Sequence, residues 1–247
     1  MKKNIVYGSV ATMGSSFRRR RVLWLTAGAA AALLRAKASS GAEEKPAPEP
    51  PGPLGWMDFI AQRSDLIELA RARNAAGVDA YLYTVAALAV RLGAVPDAKL
   101  SPFKPRAPLV SFAPIHRGVP FFVIEWRMEP RAVLPPHNHP GYSVCTLGLE
   151  GEALVRHYEP GPDAPPLTSR DPFHLRLTRE QVLLPRSVST LGPERDNIHT
   201  FTAGPRGARG IDITTRHDPS RDGSFSFLDI GAKESDSSEL VARWTGM

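Results

Sequence analysis

Two histidines that are two positions apart have the spacing of a shared metal site. His137 and His139 lie in the segment HNHPG, just before a run of residues that reads as strand, turn, strand. Side chains at i and i+2 of an extended segment point to the same face, roughly 7 Å apart along the chain. Both imidazoles can therefore reach one ion inside a small barrel. The best candidate for a third ligand is His199, in the segment NIHTFT.

The residues that follow the histidine pair offer no carboxylate as a further ligand, because residues 140–145 read PGYSVC. A site of three imidazoles leaves a divalent ion with its full 2+ charge, unlike a site of two histidines and one carboxylate. An anionic donor can then bind favourably. Positions on the ion that the three imidazoles do not take would remain for substrates.

The two histidine segments resemble the metal motifs of the cupin thiol dioxygenases, especially the branch of cysteamine dioxygenase and the plant cysteine oxidases. In that branch the first motif reads His-x-His-Pro-Gly, followed by a Gly and by a strand that ends in Tyr and an acidic residue. The second motif reads Asn-x-His-x-Phe-Thr-Ala, and a strand with an Asp follows it. The matching residues lie in this order within residues 100–232: His137, His139, Pro140, Gly141, Gly151, Tyr158 and Glu159, then Asn197, His199, Phe201, Thr202, Ala203 and Asp212.

The resemblance implies a mainly β fold, the cupin double-stranded β-helix or jelly-roll barrel. It also implies one Fe(II) per chain, bound by His137, His139 and His199, with O₂ as co-substrate. Both oxygen atoms would be added to the sulfur of a thiol, giving a sulfinic acid. The expected substrate is cysteamine, another small thiol or a peptide with an N-terminal cysteine.

Two further residues are implied as catalytic by the same resemblance. Asp212 would hydrogen bond a substrate amine or a ligand imidazole, unless it faces solvent on an alternating strand. Tyr158 would offer its hydroxyl to O₂, or would pack in the sheet. The related enzymes have a Tyr a few residues after the Asp, whereas residues 215–218 here read TRHD. We therefore expect the substrate to be positioned differently.

Two other functions fit the same motifs. The first alternative is an exported cupin module that binds a metal and senses or binds a ligand without turnover, because a fold and its ligands do not fix a function. The second is a cupin enzyme that uses Mn, Ni or Zn, although the missing glutamate argues against most of that group. The remaining histidines are expected at the surface or in the core: His116, His157, His174 and His217.

Cys145 is the single cysteine of the sequence, which excludes an intramolecular disulfide. In cysteine dioxygenases a Cys after the histidine pair is cross-linked to a Tyr. Counted back from Gly151, that position matches Val144, and a slip of one residue turns a strand side chain to the opposite face. Cys145 is therefore predicted to be a small buried apolar residue, with a redox-active thiol as the alternative.

Residues 1–38 have the layout of a signal peptide. Arg19 and Arg20 precede an apolar run of 13 residues, and a small-x-small pattern follows at Ala36 and Ala38. Two arginines before apolar residues fit a twin-arginine signal. We therefore expect the twin-arginine machinery to export the protein, which would be periplasmic or otherwise exported. The run is shorter than the ~20 residues of a spanning helix, but a retained N-terminal anchor is an alternative. Translation starts at Met1 or at Met13.

The positive net charge belongs to this leader. Residues 1–38 contain eight basic and no acidic residues, so the remainder has 23 basic and 25 acidic residues and a net charge of −2. Nucleic-acid binding first requires a basic patch, and this composition gives no support for one. We expect a monomer whose partner is a small thiol or an N-terminal cysteine peptide.

The remaining sequence divides into four segments. Residues 39–55 are a Pro-rich linker, residues 56–98 a helical cap of two amphipathic helices split near Gly77, residues 99–232 the barrel and residues 233–247 a C-terminal tail. Short apolar runs between Pro and Gly residues predict about nine strands, at residues 109–112, 121–128, 142–149, 152–158, 173–177, 181–185, 198–203, 210–215 and 225–230.

Overall fold

Two helices and ten strands form the part of the chain that the computed structural model describes, namely residues 52–65, 75–103, 107–118, 121–217, 225–231 and 239–246. The predicted signal peptide and most of the predicted linker lie outside these residues. The elements are α1 (Trp56–Asp65), α2 (Ala75–Ala89), β1 (Ser101–Phe103), β2 (Ala107–Arg117), β3 (Phe121–Met128), β4 (Val133–Asn138), β5 (Tyr142–Pro160), β6 (Phe173–Leu183), β7 (Val188–Leu191), β8 (Ile198–Arg216), β9 (Phe227–Ile230) and β10 (Glu239–Gly246).

Strands β5 and β8 organise the sheet. Each has 19 residues, and they pair antiparallel with each other along most of their length. The hydrogen-bonded neighbours β8, β4, β9, β10, β6 and β5 lead back to β8, so the sheet closes into a barrel, while β3, β2 and β1 extend it from β8. The predicted fold class, a mainly β jelly-roll barrel with an N-terminal pair of helices, is confirmed.

Strands β5 and β8 bend where they face each other, which lets each strand contribute to two parts of the barrel. Their register shifts between Gly148 and Glu150 and again between Gly151 and Ala153, and such bulges bend a strand. Gly151 has φ of 65° and Gly207 has φ of 79°, a left-handed conformation that favours glycine. A Cβ at Gly151 would overlap the backbone carbonyl of Gly207. Glycine is therefore required where the two strands approach most closely.

The helices cover the outer face of β3, β5 and β8. In α2 the buried residues recur with helical spacing at Val78, Tyr81, Leu82, Val85 and Ala89. Together with Phe59 of α1 they pack on the outward side chains of the three strands, which are Phe121, Val123, Cys145, Leu147, Ile211 and Ile213. The predicted helical cap therefore packs on the barrel. The described residues contain no helix that is long and apolar enough to cross a membrane.

The structure corrects several sequence-based boundaries. Three pairs of predicted strands are continuous as β5, β6 and β8, because the glycines and polar residues between them sit at bulges and not at chain reversals. The predicted C-terminal tail contains β10, which pairs with β6 and β9 and buries Ala242 and Trp244. Leu54 of the predicted linker is buried and bridges to Leu92. Helix α2 already begins at Ala75, so Gly77 lies inside it and does not separate the helices.

Gly210 allows Trp126 to pack across the sheet, and Gly210→Ala should destabilise the barrel. The two residues are register partners in β8 and β3. An added Cβ would overlap the indole and stand 2.7 Å from the Leu147 carbonyl oxygen. We expect the free energy of unfolding to fall by about 1–3 kcal/mol, as measured by chemical denaturation. Gly192→Ala is the control, because its nearest neighbour would be a Val78 methyl at 3.7 Å. Equal stability of the two variants would contradict this packing.

Candidate metal centre

A row of histidines crosses three neighbouring strands of the barrel. His137 of β4 is the register partner of His199 of β8, and His199 is in turn the partner of His157 of β5. Directly opposite residues point to the same face of a sheet, so all three side chains face the interior. His139 follows directly after β4 and, two residues from His137, returns to the same side as predicted.

Three of these imidazoles converge on one point. The Nε2 atom of His199 lies 3.0 Å from Nε2 of His139 and 3.2 Å from Nε2 of His137. Imidazole nitrogens bind divalent ions at ~2.0–2.1 Å, which sets ligands of one ion roughly 3 Å apart. The geometry therefore fits a single bound cation. Within the described residues, this is the one group of three or more His, Cys, Asp or Glu side chains whose ligand atoms are close enough to share an ion.

The three histidines are held in the neutral form that metal binding requires. Burial lowers the pKa of His137 to about 4. Burial, and secondarily the neighbouring imidazoles, lower the pKa values of His139 and His199 well below their ordinary value. The Nδ1 atom of His137 is 2.9 Å from the Pro135 carbonyl oxygen and donates to it, which leaves Nε2 as the atom with a free lone pair. Neutral imidazoles can each present an Nε2 lone pair to a metal ion.

Asn197 fixes the backbone at His139. Its Oδ1 accepts a hydrogen bond of 3.0 Å from the His139 amide, and its Nδ2 donates to the carbonyl oxygens of His139 and Gly192 at 2.9 Å each. The loop that carries His139 is thereby attached to the segment that leads into β8 and His199. The sequence motif contains this Asn, and the structure gives it the role of joining the two ligand segments.

A cavity of about 250 Å³ lies beside His137 and His139. Most of its wall is apolar and aromatic, and Phe225 and Phe227 each lie 5.6 Å from the His137 ring, measured between ring centroids. Of the residues that the structure describes, Asp212 is the one carboxylate in the lining, and no Lys or Arg contributes to it. The cavity walls are Phe112, Phe122, Ile124, Leu134, Tyr142, Asp212, Thr214, Phe225 and Phe227, together with the two histidines.

Asp212 faces this cavity from β8. Its Oδ1 accepts hydrogen bonds from the Thr146 hydroxyl at 2.7 Å and from the Trp126 indole nitrogen at 3.2 Å. Burial raises the pKa of this carboxyl to about 6, against the lowering effect of the two hydrogen bonds. Of the two orientations considered from the sequence, the side chain has the inward one.

The structure does not bring Tyr158 to the cavity. The residue is buried in an apolar cluster with Phe173, Leu175, Ile198 and Trp244, on the opposite side of β5 from His157. Its position corresponds to the alternative in which it packs in the sheet, away from the cavity. The reason is the alternation of side chains along a strand: because His157 points inward, its neighbour must point outward.

Cys145 also lies away from the metal centre. Its side chain is fully buried in the cluster beneath the two helices, while the neighbouring Thr146 reaches inward to Asp212. The prediction of a small buried apolar residue is confirmed. Of the other histidines, His174 is exposed and pairs with Asp163, and His217 lies 2.7 Å from the Ser143 hydroxyl.

His157 is a residue whose position the sequence did not reveal. It is fully buried, and its ring centroid is 6.0 Å from that of His199. Its Nε2 lies 3.1 Å from an Arg179 nitrogen and 2.7 Å from the Ser189 hydroxyl. Because a guanidinium only donates, Nε2 accepts and the ring is neutral. Burial, followed by the Arg179 charge, lowers its pKa to about 4. Only the pairing of β5 with β8 could have identified it.

Comparisons with known proteins found partial sequence similarity to two curated proteins. No family model matches the chain. The chain is 30% identical to plant cysteine oxidase 2 of Arabidopsis thaliana over 99 residues, which are 40% of this chain and 36% of that protein. It is also 30% identical to plant cysteine oxidase 1 of the same plant over 98 residues, 39% of this chain and 33% of that protein. The chain thus spans about a third of the length of these curated relatives.

Solved structures give weaker likenesses. The cupin domain of Cnp3 from Schizosaccharomyces pombe has a TM-score of 0.36 at 14% identity, over 49% of this chain and 70% of that one. The polyketide cyclase RemF from Streptomyces resistomycificus also has a TM-score of 0.36, at 18% identity over 53% of this chain and 82% of that one. These scores are too low to support an argument about function.

Replacing His157 with leucine should destabilise the protein. Arg179 already has a buried Nε without a hydrogen-bond partner, and the substitution also removes one of the two hydrogen-bond acceptors of its Nη2 among the described residues, leaving that nitrogen the Thr190 carbonyl oxygen. We expect the free energy of unfolding to fall by about 1–3 kcal/mol, as measured by denaturation of the metal-free protein. His174→Leu, at the exposed pair with Asp163, is the matched control and should change stability by less than about 0.5 kcal/mol. A loss no larger than that of the control would contradict the buried network.

Asp212→Asn should change how stability depends on pH. The raised pKa means that the folded protein keeps a proton between about pH 4 and pH 6 that the unfolded chain releases, so this group lowers stability as pH rises through that window. The variant keeps an amide oxygen for Thr146 and Trp126. Its stability relative to the wild type should increase by about 1–2 kcal/mol between pH 5 and pH 8. A difference that does not vary with pH would show that the carboxyl is not perturbed.

Proposed function

We propose that this protein is a non-haem Fe(II) thiol dioxygenase, which converts a thiol and O₂ into a sulfinic acid. One observation carries the proposal: three neutral imidazoles, from His137, His139 and His199, converge beside an organic-sized cavity without a carboxylate among them. The partial sequence similarity to the plant cysteine oxidases supports the same reaction.

Among the described residues no carboxylate joins the three histidines, and this favours a particular substrate group. Three neutral histidines leave the charge of a divalent ion uncompensated, so an anionic donor such as a thiolate gains the most from binding there. When bound, Fe(II) would supply the site at which thiol and O₂ meet and the redox chemistry that joins them. The reaction is balanced as RSH + O₂ giving RSO₂H, with both oxygen atoms on sulfur and no external reductant.

The protein's own side chains would exclude water and orient the substrate. Phe225 and Phe227 pack against the His137 ring and shield it on the cavity side. A site with little water strengthens electrostatic interactions and protects reactive species from side reactions. Asp212, held by Thr146 and Trp126, presents a carboxylate to the cavity, where it can accept a hydrogen bond from a substrate N–H. The predicted export signal would place this reaction in the periplasm.

Oxygen uptake by the iron-loaded full chain tests the proposal. Fe(II) is added without oxygen, and uptake is then followed with cysteamine, cysteine, 3-mercaptopropionate and an N-terminal cysteine peptide, with the product identified by mass. We expect one O₂ consumed per thiol, a mass gain of two oxygen atoms, and loss of both in His199→Ala. His174→Ala, remote from the metal centre, should behave as the wild type.

Two results would contradict the proposal in different ways. Bound iron without oxygen uptake for any thiol would favour a metal-binding module that does not turn over. Uptake that persists in His199→Ala would mean that the three-histidine centre is not where the reaction occurs.

A further inference from the structure

We propose that the thiol taken by this cavity carries a bulky aromatic or branched aliphatic group and no carboxylate. The inference rests on the proposed function and adds the substrate class. It depends on three properties of the cavity: the chemistry of its walls, its size and its charge.

The walls beside the metal centre are aromatic on more than one side. Phe122 of β3 and Tyr142 of β5 meet edge to face at 6.0 Å, and Phe225 and Phe227 do so at 5.6 Å. Phe112 of β2 and two aliphatic side chains complete the apolar lining. Because these residues come from separate strands, the apolar surface surrounds the space and is not a single exposed patch. A ligand with an apolar body would remove this surface from water.

The cavity is larger than a minimal thiol requires. Its volume is about 250 Å³, whereas one water molecule occupies about 30 Å³ of liquid. Cysteamine has four heavy atoms and would leave most of this space without contacts. A substituent the size of a phenyl ring would fill it and gain the dispersion contacts that an empty apolar space lacks.

The charges in the cavity disfavour an acidic substrate. Among the residues that the structure describes, no Lys or Arg lines the cavity, so a substrate carboxylate that does not reach the metal ion would enter an apolar space without a cationic partner. Asp212 is the one carboxyl group among the described lining residues, and its negative form would repel a second carboxylate. A substrate whose remaining part is neutral, or carries an amine, avoids both the burial of an unpaired carboxylate and the repulsion by Asp212. Free cysteine and 3-mercaptopropionate are therefore poor fits, although each offers the required thiol.

Three thiols that differ at one carbon test this inference. Cysteamine is the reference, cysteine adds a carboxylate at the carbon that bears the amine, and 2-amino-3-phenylpropane-1-thiol adds a benzyl group at that carbon. Affinity is measured by calorimetry on the Fe(II)-loaded full chain without oxygen. Oxygen uptake is then measured for each thiol.

The benzyl compound should bind roughly 10- to 100-fold more tightly than cysteamine, which is the gain from burying a phenyl group, and cysteine should bind more weakly than cysteamine. In Phe122→Ala the ratio between the benzyl compound and cysteamine should fall towards one. Leu109→Ala is the matched control, because Leu109 is exposed on β2 and does not line the cavity; the ratio should not change.

The outcomes separate this inference from the proposed function. Equal affinity for the benzyl compound and cysteamine, or tighter binding of cysteine, overturns the inference, even if oxygen uptake with cysteamine upholds the dioxygenase. If the three thiols bind in the expected order but none of them causes oxygen uptake, the proposed selectivity of the cavity is upheld and the proposed dioxygenase activity is overturned. A ratio in Phe122→Ala equal to that of the wild type would also overturn the inference.

Discussion

The pairing of β8 with both β4 and β5 is the constraint on which the candidate site depends. This register sets His137, His199 and His157 side by side across three strands. A shift of one residue in either pairing would turn a histidine out of the barrel. The long strands can maintain both pairings because they bend at glycines with positive φ. The positions of the metal ligands are therefore set by the backbone hydrogen bonds of the whole sheet.

Burial determines the chemical state of the same histidines. Three imidazoles whose Nε2 atoms lie about 3 Å apart are favoured as neutral rings, because positive charges at this distance would repel one another. Burial lowers their pKa values, and neutral ring nitrogens can bind a shared cation. The surrounding phenylalanines have two consequences: they hold the imidazoles neutral, and they form the apolar wall of the adjacent cavity. The metal binding and the selectivity for an apolar thiol that we propose would thus share one physical origin.

The sequence predicted the three histidines because their neighbours form specific motifs, and it predicted the fold class because its strands have recognisable apolar runs. It did not separate Asp212, which faces the cavity, from Tyr158, which does not, since strand alternation shows which residues share a face and not which face is inside. His157 and the closure of the barrel by β10 depend on pairing between distant segments. In the sequence, the bulges at Gly148 and Gly151 look like strand ends, because glycine is common at bulges and at strand ends alike.

X-ray absorption at the iron edge of the Fe(II)-loaded full chain would identify the ligands of the ion. We predict one iron per chain, bound by three imidazole nitrogens and no protein carboxylate, with sulfur entering the coordination shell when a thiol is added without oxygen. A spectrum with two or fewer imidazoles, or with a carboxylate in place of one of them, would contradict this prediction. So would a protein that binds no iron when His137, His139 and His199 are all present.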